Sequence, residues 1–188
     1  DVLICDNDNV APEGENSGIL GKARYMAPEV VTGTKMPSKQ TDRYSLSVVL
    51  FLLFYGNHPL EGARVLACPC MTEKYEKQFY GSDAIFIYDP QNKSNLPVRG
   101  VHNNVMRKWP AFPELLRTAF VREFSQECLT NPDKRCLERD WQKTIQKVRD
   151  MLVVCPLCKE ETFVENAQSP RCVCCGNEFK VAGTLKIN

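Results

Sequence analysis

With 188 residues and 43% hydrophobic side chains, the chain can build one ordinary domain plus a small appendage, and wholesale disorder is excluded. Its 24 basic side chains nearly balance 23 acidic ones, which gives a formal net charge of +1. This balance provides no electrostatic reason to expect nucleic acid or an acidic membrane as the main partner.

The first predicted elements are short. Val2–Cys5 is apolar and predicts a strand that ends at Asp6. The polar, glycine-bearing residues 7–24 predict a loop, and a short helix is expected after Pro28.

The apolar run that ends at Tyr55 predicts the longest helix of the chain. We expect Asp42 to be its N-cap or a first-turn carboxylate, and Gly56 to end it. Because the helix is apolar almost all round, other elements should enclose it. The run is about half as long as a bilayer crossing requires, and the sequence shows no signal peptide. We therefore expect a cytoplasmic protein that does not contact a membrane.

An irregular middle part separates this helix from two later ones. Residues 57–112 are punctuated by Pro, Gly, Asn and Asp, and contain one strand-like run at 84–88. Apolar side chains that recur every three or four positions predict amphipathic helices over 113–129 and 138–152. These elements predict a mainly α fold for the larger part of the chain.

The composition changes abruptly after Val154, where half of the ten cysteines fall. We therefore predict two domains, residues 1–153 and residues 154–188. A disulfide scaffold would spread its cysteines through the whole chain, whereas paired C-x-x-C knuckles indicate a metal site. The smaller domain has too little core to fold unaided, so metal binding would supply its folding free energy.

Two knuckles separated by thirteen residues provide four thiolates for a tetrahedral Zn²⁺ site. Gly176 directly after the second knuckle allows the backbone turn that points amides at the sulfurs. Cys174 lies between the second pair and is expected to be a bystander. Free or disulfide-paired cysteines are the alternative. The predicted zinc ligands are Cys155, Cys158, Cys172 and Cys175.

The spacing resembles that of zinc ribbons, which bind nucleic acid, dock proteins or act as structural caps. Basic and acidic side chains are balanced in this domain, and Phe163 and Phe179 are its aromatic residues. Nucleic-acid binding is therefore disfavoured, and a small structural β domain or a protein-docking module is expected.

Four further landmarks occur in the order found in protein kinases. The stretch Tyr25–Glu29 resembles the A-P-E motif, and Asp6 lies 23 residues earlier, where kinases keep the D-F-G aspartate. Residues 42–47 resemble D-x-W-S-L-G, and residues 128–135 resemble C-L-x-x-D-P-x-x-R. The chain up to residue 152 thus resembles the carboxyl-terminal lobe of a protein kinase from the activation segment onward.

The resemblance implies a role for each landmark. Asp6 would hold Mg²⁺ against the phosphates of ATP. Glu29 and Arg135 would form a buried ion pair, and Asp42 would accept backbone hydrogen bonds from the catalytic loop. Taken singly, Asp6 could instead be a strand-end turn residue, Glu29 a surface carboxylate and Asp42 a simple cap.

The sequence also departs from the kinase pattern. Asn7 replaces the D-F-G phenylalanine, and Lys22 stands where a small Thr is expected. Within the activation segment, Ser17 is the single hydroxyl before Tyr25. The 188 residues contain no H-R-D-x-x-x-x-N motif and no V-A-I-K lysine, so we expect these parts upstream and expect this fragment to be inactive alone.

A narrower resemblance is to bacterial Ser/Thr-type kinases that carry a carboxyl-terminal zinc ribbon. Its further signs are the segment His58–Gly62, the residues around Tyr80, Phe86 and Asp89, and Asn95. Such kinases accompany a PP2C-type phosphatase and a von Willebrand A-type protein, as in tellurite-resistance gene sets, and these are the partners that the resemblance implies.

Two functions follow from these resemblances. The parent protein is expected to be a Ser/Thr-type protein kinase that uses Mg-ATP, or else a pseudokinase scaffold whose zinc ribbon docks a protein partner. A third hypothesis is that the ribbon alone binds nucleic acid.

Overall fold

The computed structural model describes residues 10, 12, 21–166 and 168–180, and these are mainly helical, as the sequence predicts. We call residues 21–150 the helical region and residues 151–180 the cysteine module. The α-helices are α1 (Pro28–Val31), α2 (Lys39–Tyr55), α3 (Ala63–Leu66), α4 (Glu73–Glu76), α5 (Asn103–Ala111), α6 (Glu114–Glu123), α7 (Gln126–Thr130) and α8 (Glu138–Asp150). A π-helix spans Lys77–Ser82, and 3₁₀ turns span Lys93–Asn95 and Pro132–Lys134. The strands are β1 (Leu152–Val154) and β2 (Glu161–Phe163).

Helix α2 begins three residues earlier than the apolar run predicts, because Ser38 caps it. The Ser38 hydroxyl accepts the Thr41 N–H at 3.4 Å, and the Ser38 N–H donates to Thr41 Oγ1 at 2.8 Å. This reciprocal capping box leaves Asp42 as the first-turn carboxylate, one of the two predicted places. Gly56 ends the helix in the left-handed conformation, with φ of 68°.

An aromatic core lies against one side of α2. The ring centroid of Phe51 lies 5.1 Å from that of Phe120, 5.5 Å from Phe86 and 6.1 Å from Phe124, all in edge-to-face contacts. Trp141 from α8 packs on Phe120 at 4.7 Å. Buried aromatic pairs of this kind contribute beyond the area that they remove from water.

The prediction that α2 is enclosed on every side is wrong for the described part of the chain. Val49 is 43% exposed and Leu53 is 72% exposed, and Asp42 is exposed on the same face of the helix. The apolar composition of α2 did not distinguish these residues from the buried ones. Burial requires a covering element, and the described elements cover the opposite face.

The strand predicted at residues 84–88 is also not formed. Residues 84–87 are buried, but no strand in the described part of the chain pairs with the run, and side chains and loops satisfy its backbone instead. The Asn95 amide donates to the Ile85 carbonyl at 2.7 Å, and the Gln126 amide donates to the Ala84 carbonyl at 2.8 Å. The β-branched and aromatic side chains of this run correctly indicated burial, but a strand also needs a neighbouring strand to pair with, and the described residues supply none.

The two later helices are shorter than predicted. The expected helix over 113–129 is divided into α6 and α7, because the Ser125 hydroxyl accepts the Cys128 N–H and starts a new helix. Helix α8 ends at Asp150, two residues before the predicted end, since the next residues enter β1.

The cysteine module follows α8 directly. Strands β1 and β2 pair antiparallel with Leu152 opposite Phe163. The Phe163 ring lies 5.2 Å from that of Phe112, so the hairpin packs against the helical region. Among the described helices, none combines the length and apolar character that crossing a membrane requires.

Candidate functional site

The two C-x-x-C turns have the same backbone hydrogen bonds. The Cys155 N–H donates to the Glu160 carbonyl at 2.9 Å, and the Lys159 N–H donates back to the Cys155 carbonyl at 3.0 Å. In the second knuckle, the Cys172 N–H donates to Asn177 and the Gly176 N–H donates to Cys172, both at 2.9 Å. The four cysteines are therefore presented by two equivalent loops.

Each loop contains a left-handed residue directly after its second cysteine. Gly176 has φ of 73°, as its position in the sequence predicts, and Lys159 has φ of 64°. The sequence analysis missed the conformation of Lys159 because the residue is not a glycine. Its position, four residues after Cys155, matches that of Gly176 after Cys172 and is the signal that could have identified it.

The four predicted sulfur ligands meet in one place. The Sγ atoms of Cys155, Cys158, Cys172 and Cys175 lie within 4.8 Å of one another. The Cys155–Cys175 and Cys158–Cys172 sulfur pairs are 3.9 and 3.6 Å apart. A tetrahedral ion with Zn–S bonds of about 2.3 Å requires sulfur pairs about 3.8 Å apart. The cluster fits such an ion, and Cys174 is exposed outside it, as predicted.

Backbone amides favour the thiolate form of Cys172. The N–H groups of Cys175 and Cys174 point at Cys172 Sγ, with N–S distances of 3.5 and 3.4 Å. These donors lower the pKa of the Cys172 thiol to about 6. Thiolate is the form that binds metal, so the four cysteines could hold a metal ion such as zinc.

The second predicted constellation is the ion pair between Glu29 and Arg135, and the structure brings these residues together. Arg135 Nη1 donates to Glu29 Oε1 at 2.8 Å, and Nη2 donates to Oε2 at 2.7 Å. The Arg135 side chain is fully buried and that of Glu29 is 10% exposed. This bidentate, charge-assisted contact joins Glu29 of the A-P-E-like stretch to Arg135 at the end of residues 128–135.

The surroundings of Arg135 complete its hydrogen bonding. Its Nε donates to the Cys128 carbonyl at 3.3 Å, and Nη1 also donates to the Gln40 carbonyl at 3.0 Å. The Tyr44 ring lies under the guanidinium, 5.3 Å from its central carbon. A buried cation with these contacts is fixed in position, so α1 is held against α2 and the turn after α7.

A buried carboxylate that the sequence analysis did not single out lies nearby. Glu123 is 1% exposed and accepts the Cys136 N–H at 2.7 Å and the Ser47 hydroxyl at 3.0 Å. The Trp141 indole N–H donates to the same Ser47 hydroxyl at 3.1 Å. Burial raises the pKa of Glu123. Its place three residues after Phe120, on the apolar stripe of α6, was the available signal.

The residues behind the narrower kinase resemblance form a second polar network. The Asn95 amide donates to the carbonyls of Leu60 and Ile85 at 2.8 and 2.7 Å. Gly62 lies so close to Asn95 that an added Cβ would be 1.9 Å from the Asn95 carbonyl oxygen. The glycine is therefore required by the approach of another backbone.

The other predicted site residues are not gathered at one place. Lys22 is exposed, and the Tyr25 carbonyl accepts the Ser45 hydroxyl of α2 at 2.8 Å. The Asp42 carboxylate is exposed, so its expected role toward a catalytic loop remains a prediction. Asp6 and Ser17 lie outside the residues that the structure describes.

Comparisons of the chain with protein-family models, with curated proteins and with solved structures find no significant match. Any functional assignment therefore rests on the residues and geometry of this chain.

Proposed function

We propose that residues 1–153 form the carboxyl-terminal lobe of a protein-kinase-like domain and that residues 154–188, which hold the four clustered cysteines, are a zinc ribbon joined to it. In the longer parent protein, the γ-phosphoryl group of Mg-ATP would pass to a hydroxyl of a protein substrate. Asp6 would hold Mg²⁺, and the rest of the parent would supply the catalytic base and the ATP-binding lysine. The 188-residue fragment alone would be inactive.

The contact between Glu29 and Arg135 is the observation that carries this proposal. These residues belong to two separate motifs, 106 positions apart, which kinases use to fix the activation segment to the helical lobe. A surface carboxylate at position 29 would be exposed, whereas the Glu29 side chain is only 10% exposed and both of its oxygens bind Arg135. The alternative that Glu29 is a surface carboxylate does not account for this pairing.

The uncovered face of α2 supports the same proposal. Asp42, Val49 and Leu53 are exposed on one side of a helix that is otherwise packed in the core. In a kinase lobe, an aspartate at this position receives backbone N–H groups of the catalytic loop. The chain that carries that loop would also cover the two apolar side chains, which together would restore an enclosed helix.

Phosphoryl transfer by the longer parent protein tests the kinase proposal. Incubated with labelled Mg-ATP, the parent should phosphorylate itself or an added protein, and Asp6→Ala should abolish the label. Glu138→Gln, which changes an exposed carboxylate on α8, is the matched control and should leave labelling unchanged. Equal labelling in Asp6→Ala and wild type would refute the assigned role of Asp6.

A pseudokinase scaffold is the second candidate, and the surface of the cysteine module favours it. Val154, Leu157 and Val173 are 61%, 59% and 49% exposed, and the last two lie inside the knuckles. Among the described residues of the module, four acidic side chains outnumber three basic ones, and Arg171 is paired with Glu178. Such a surface suits a protein partner better than nucleic acid.

The scaffold candidate predicts binding without catalysis. The parent would fail to transfer phosphate at saturating Mg-ATP, yet would bind a PP2C-type phosphatase or a von Willebrand A-type protein. Calorimetry with each candidate partner should show that a Leu157→Ser, Val173→Ser double variant binds more weakly while its metal content is unchanged. Salt-dependent binding of the module to single-stranded DNA would instead favour the nucleic-acid hypothesis.

Zinc is the metal that we propose for the four cysteines. Four thiolates at tetrahedral spacing are the donor set of a closed structural zinc site, with no open position for a substrate. Such a site would hold the ribbon together and would not take part in phosphoryl transfer.

A further inference from the structure

The residues just before α1 form a turn that is fastened to the helical region. The Tyr25 N–H donates to the Lys22 carbonyl at 2.9 Å, and the Met26 N–H donates to the Ala23 carbonyl at 3.2 Å. These two amides report on the turn, because each is protected only while the turn is closed. Ala23, Tyr25 and Met26 pack against the core, and the hydrogen bonds of Arg24 fasten the turn to the loop after α2.

The side chain of Arg24 is held by a carboxylate from the loop after α2. Arg24 Nη2 donates to Glu61 Oε2 at 2.8 Å, and Arg24 Nε donates to Glu61 Oε1. Glu61 is 22% exposed and Arg24 is 40% exposed, so solvent screens this pair only in part. A bidentate pair fixes the orientation of the guanidinium as well as its position.

Glu61 is itself fixed from the opposite side. The Tyr80 hydroxyl donates to Glu61 Oε1 at 2.7 Å. Tyr80 is 4% exposed and lies in the π-helix, whose Gly81 packs against the end of α1. A Cβ on Gly81 would lie 2.8 Å from Thr32 Cγ2, so this contact needs the glycine. The carboxylate therefore cannot swing away from Arg24 without losing a buried hydroxyl partner.

The main chain of Arg24 is held as well, by a buried histidine. His58 is fully buried, and its Nδ1 accepts the Leu60 N–H at 3.2 Å. The ring proton of the neutral side chain is therefore on Nε2, which donates to the Arg24 carbonyl at 2.7 Å. The sequence analysis singled out the segment that begins at His58 but predicted no contact for its ring.

We infer that His58, Glu61 and Tyr80 act as a clamp that fixes residues 22–26 through Arg24 in the unmodified chain. Glu61 holds the guanidinium of Arg24, His58 holds its carbonyl, and Tyr80 holds Glu61 in place. This inference rests on the proposed function, in which residues 22–26 are the end of the activation segment nearest the protein substrate. The clamp residues are then positioning residues, and this part of the segment is ordered without a phosphate.

Hydrogen–deuterium exchange of the 188-residue chain, without nucleotide, tests the clamp. Glu61→Gln keeps the shape of the side chain but removes the charge that binds Arg24. The amides of Tyr25 and Met26 should then exchange about tenfold faster, while amides in the middle of α2 keep their wild-type rates. Tyr80→Phe removes one hydroxyl and should give a smaller increase at the same two amides.

The matched control is Glu138→Gln, which makes the same chemical change at the exposed partner of Arg43 and should leave both amides unaffected. Unchanged exchange at Tyr25 and Met26 in both clamp variants would overturn the inference. So would an equal acceleration throughout α2, because that would be a general loss of stability. If Glu61→Gln does not fold, Tyr80→Phe decides the matter by itself.

The exchange result and the kinase test can fail separately. Exchange is measured without ATP, so a clamp can be present in a chain whose parent transfers no phosphate. If the parent is active, Glu61→Gln should raise KM for the protein substrate more than it lowers kcat, since the clamp positions substrate-facing residues. An unchanged KM with a lower kcat would contradict the positioning role and leave the kinase proposal intact.

Discussion

In the helical region, aromatic rings from α2, α5, α6 and two loop residues pack around Phe51, whereas the described part of the cysteine module buries almost no large apolar side chain. Among its described residues, those that are buried are Cys155, Thr162, Pro170 and Cys172. Burial of apolar area can support the helical region by itself. A segment of this size builds little core of its own, so under the proposed zinc site a bound ion would supply the stability of the module. On that proposal, two adjoining parts of one chain fold by different physical means.

Removing the metal from the module is the strongest test of this contrast. A chelator, or Cys172→Ser, should unfold the module, because coordination of a structural zinc ion contributes on the order of 10 kcal/mol. Amide NMR signals of residues 151–180 should collapse to random-coil positions, and the zinc content should fall to zero. The core signals of Phe51 and Trp141 should persist. Cys174→Ser is the control and should retain both zinc and fold, and a module that stays folded without metal would break the comparison.

Breaking the buried ion pair should destabilise the helical region and leave the cysteine module unchanged. Glu29→Ala leaves the buried Arg135 cation without its partner, so the helical region should lose about 3–5 kcal/mol in urea unfolding. Zinc content should not change. Replacing both residues by apolar ones should restore part of this loss, since no isolated charge remains. A loss below about 1 kcal/mol, the range of exposed pairs, would contradict the assigned burial.

Acid should weaken the helical region through His58. Burial lowers the pKa of His58 to about 4 from its usual 6.5, so the folded chain keeps the ring neutral while the unfolded chain takes up a proton. Stability from this group is complete above pH 6.5 and is lost as the pH falls toward 4, by up to about 3 kcal/mol.

The measurement is the difference in urea stability between wild type and His58→Gln, taken at pH 7 and at pH 4.5. Because the variant lacks the titrating ring, the difference should shrink as the pH falls. The subtraction removes the contribution of Glu123, whose raised pKa acts in the opposite direction. A difference that is constant with pH would show that the ring is not held neutral.

The smallest expected effect tests whether the left-handed residue of each knuckle influences zinc binding. Lys159 has φ of 64°, a conformation that costs a residue with a side chain about 1 kcal/mol relative to glycine. Lys159→Gly should therefore tighten zinc binding several-fold, and Gly176→Ala should weaken it by a similar factor. Competition with a chromogenic chelator measures both. Equal affinities in all three proteins would show that the left-handed conformations carry no cost in zinc binding.

Much of the cysteine module could be predicted because its signals are local. The C-x-x-C spacing, the donor chemistry and Gly176 specify two tight loops within a few residues each. The same holds for the end of α2, where Gly56 alone supplies the left-handed cap. The sequence analysis did not predict the positive φ of Lys159, because a lysine does not by itself indicate that conformation.

The long-range contacts divide into those with a motif and those without one. Glu29 and Arg135 were paired in advance because each stands in a motif of a resembled family. His58, Glu61 and Tyr80 lie in segments of the narrower kinase resemblance, but that resemblance named no partner for them; their partners lie 19 to 37 residues away and no periodic pattern connects them. Glu123 was missed for the same reason, although its position on an apolar stripe was visible.

The sequence by itself determined the mainly α content, the four sulfur ligands and the residues of the buried ion pair. These features depend on local hydrogen bonding, on donor chemistry and on apolar periodicity, all of which can be recognised from residues close together in the sequence. Only the tertiary structure decided that residues 84–88 form no strand, that one face of α2 is uncovered and that Arg24 is clamped. Each of these depends on which distant group arrives to pair with or cover a segment, and a one-dimensional pattern does not carry that information.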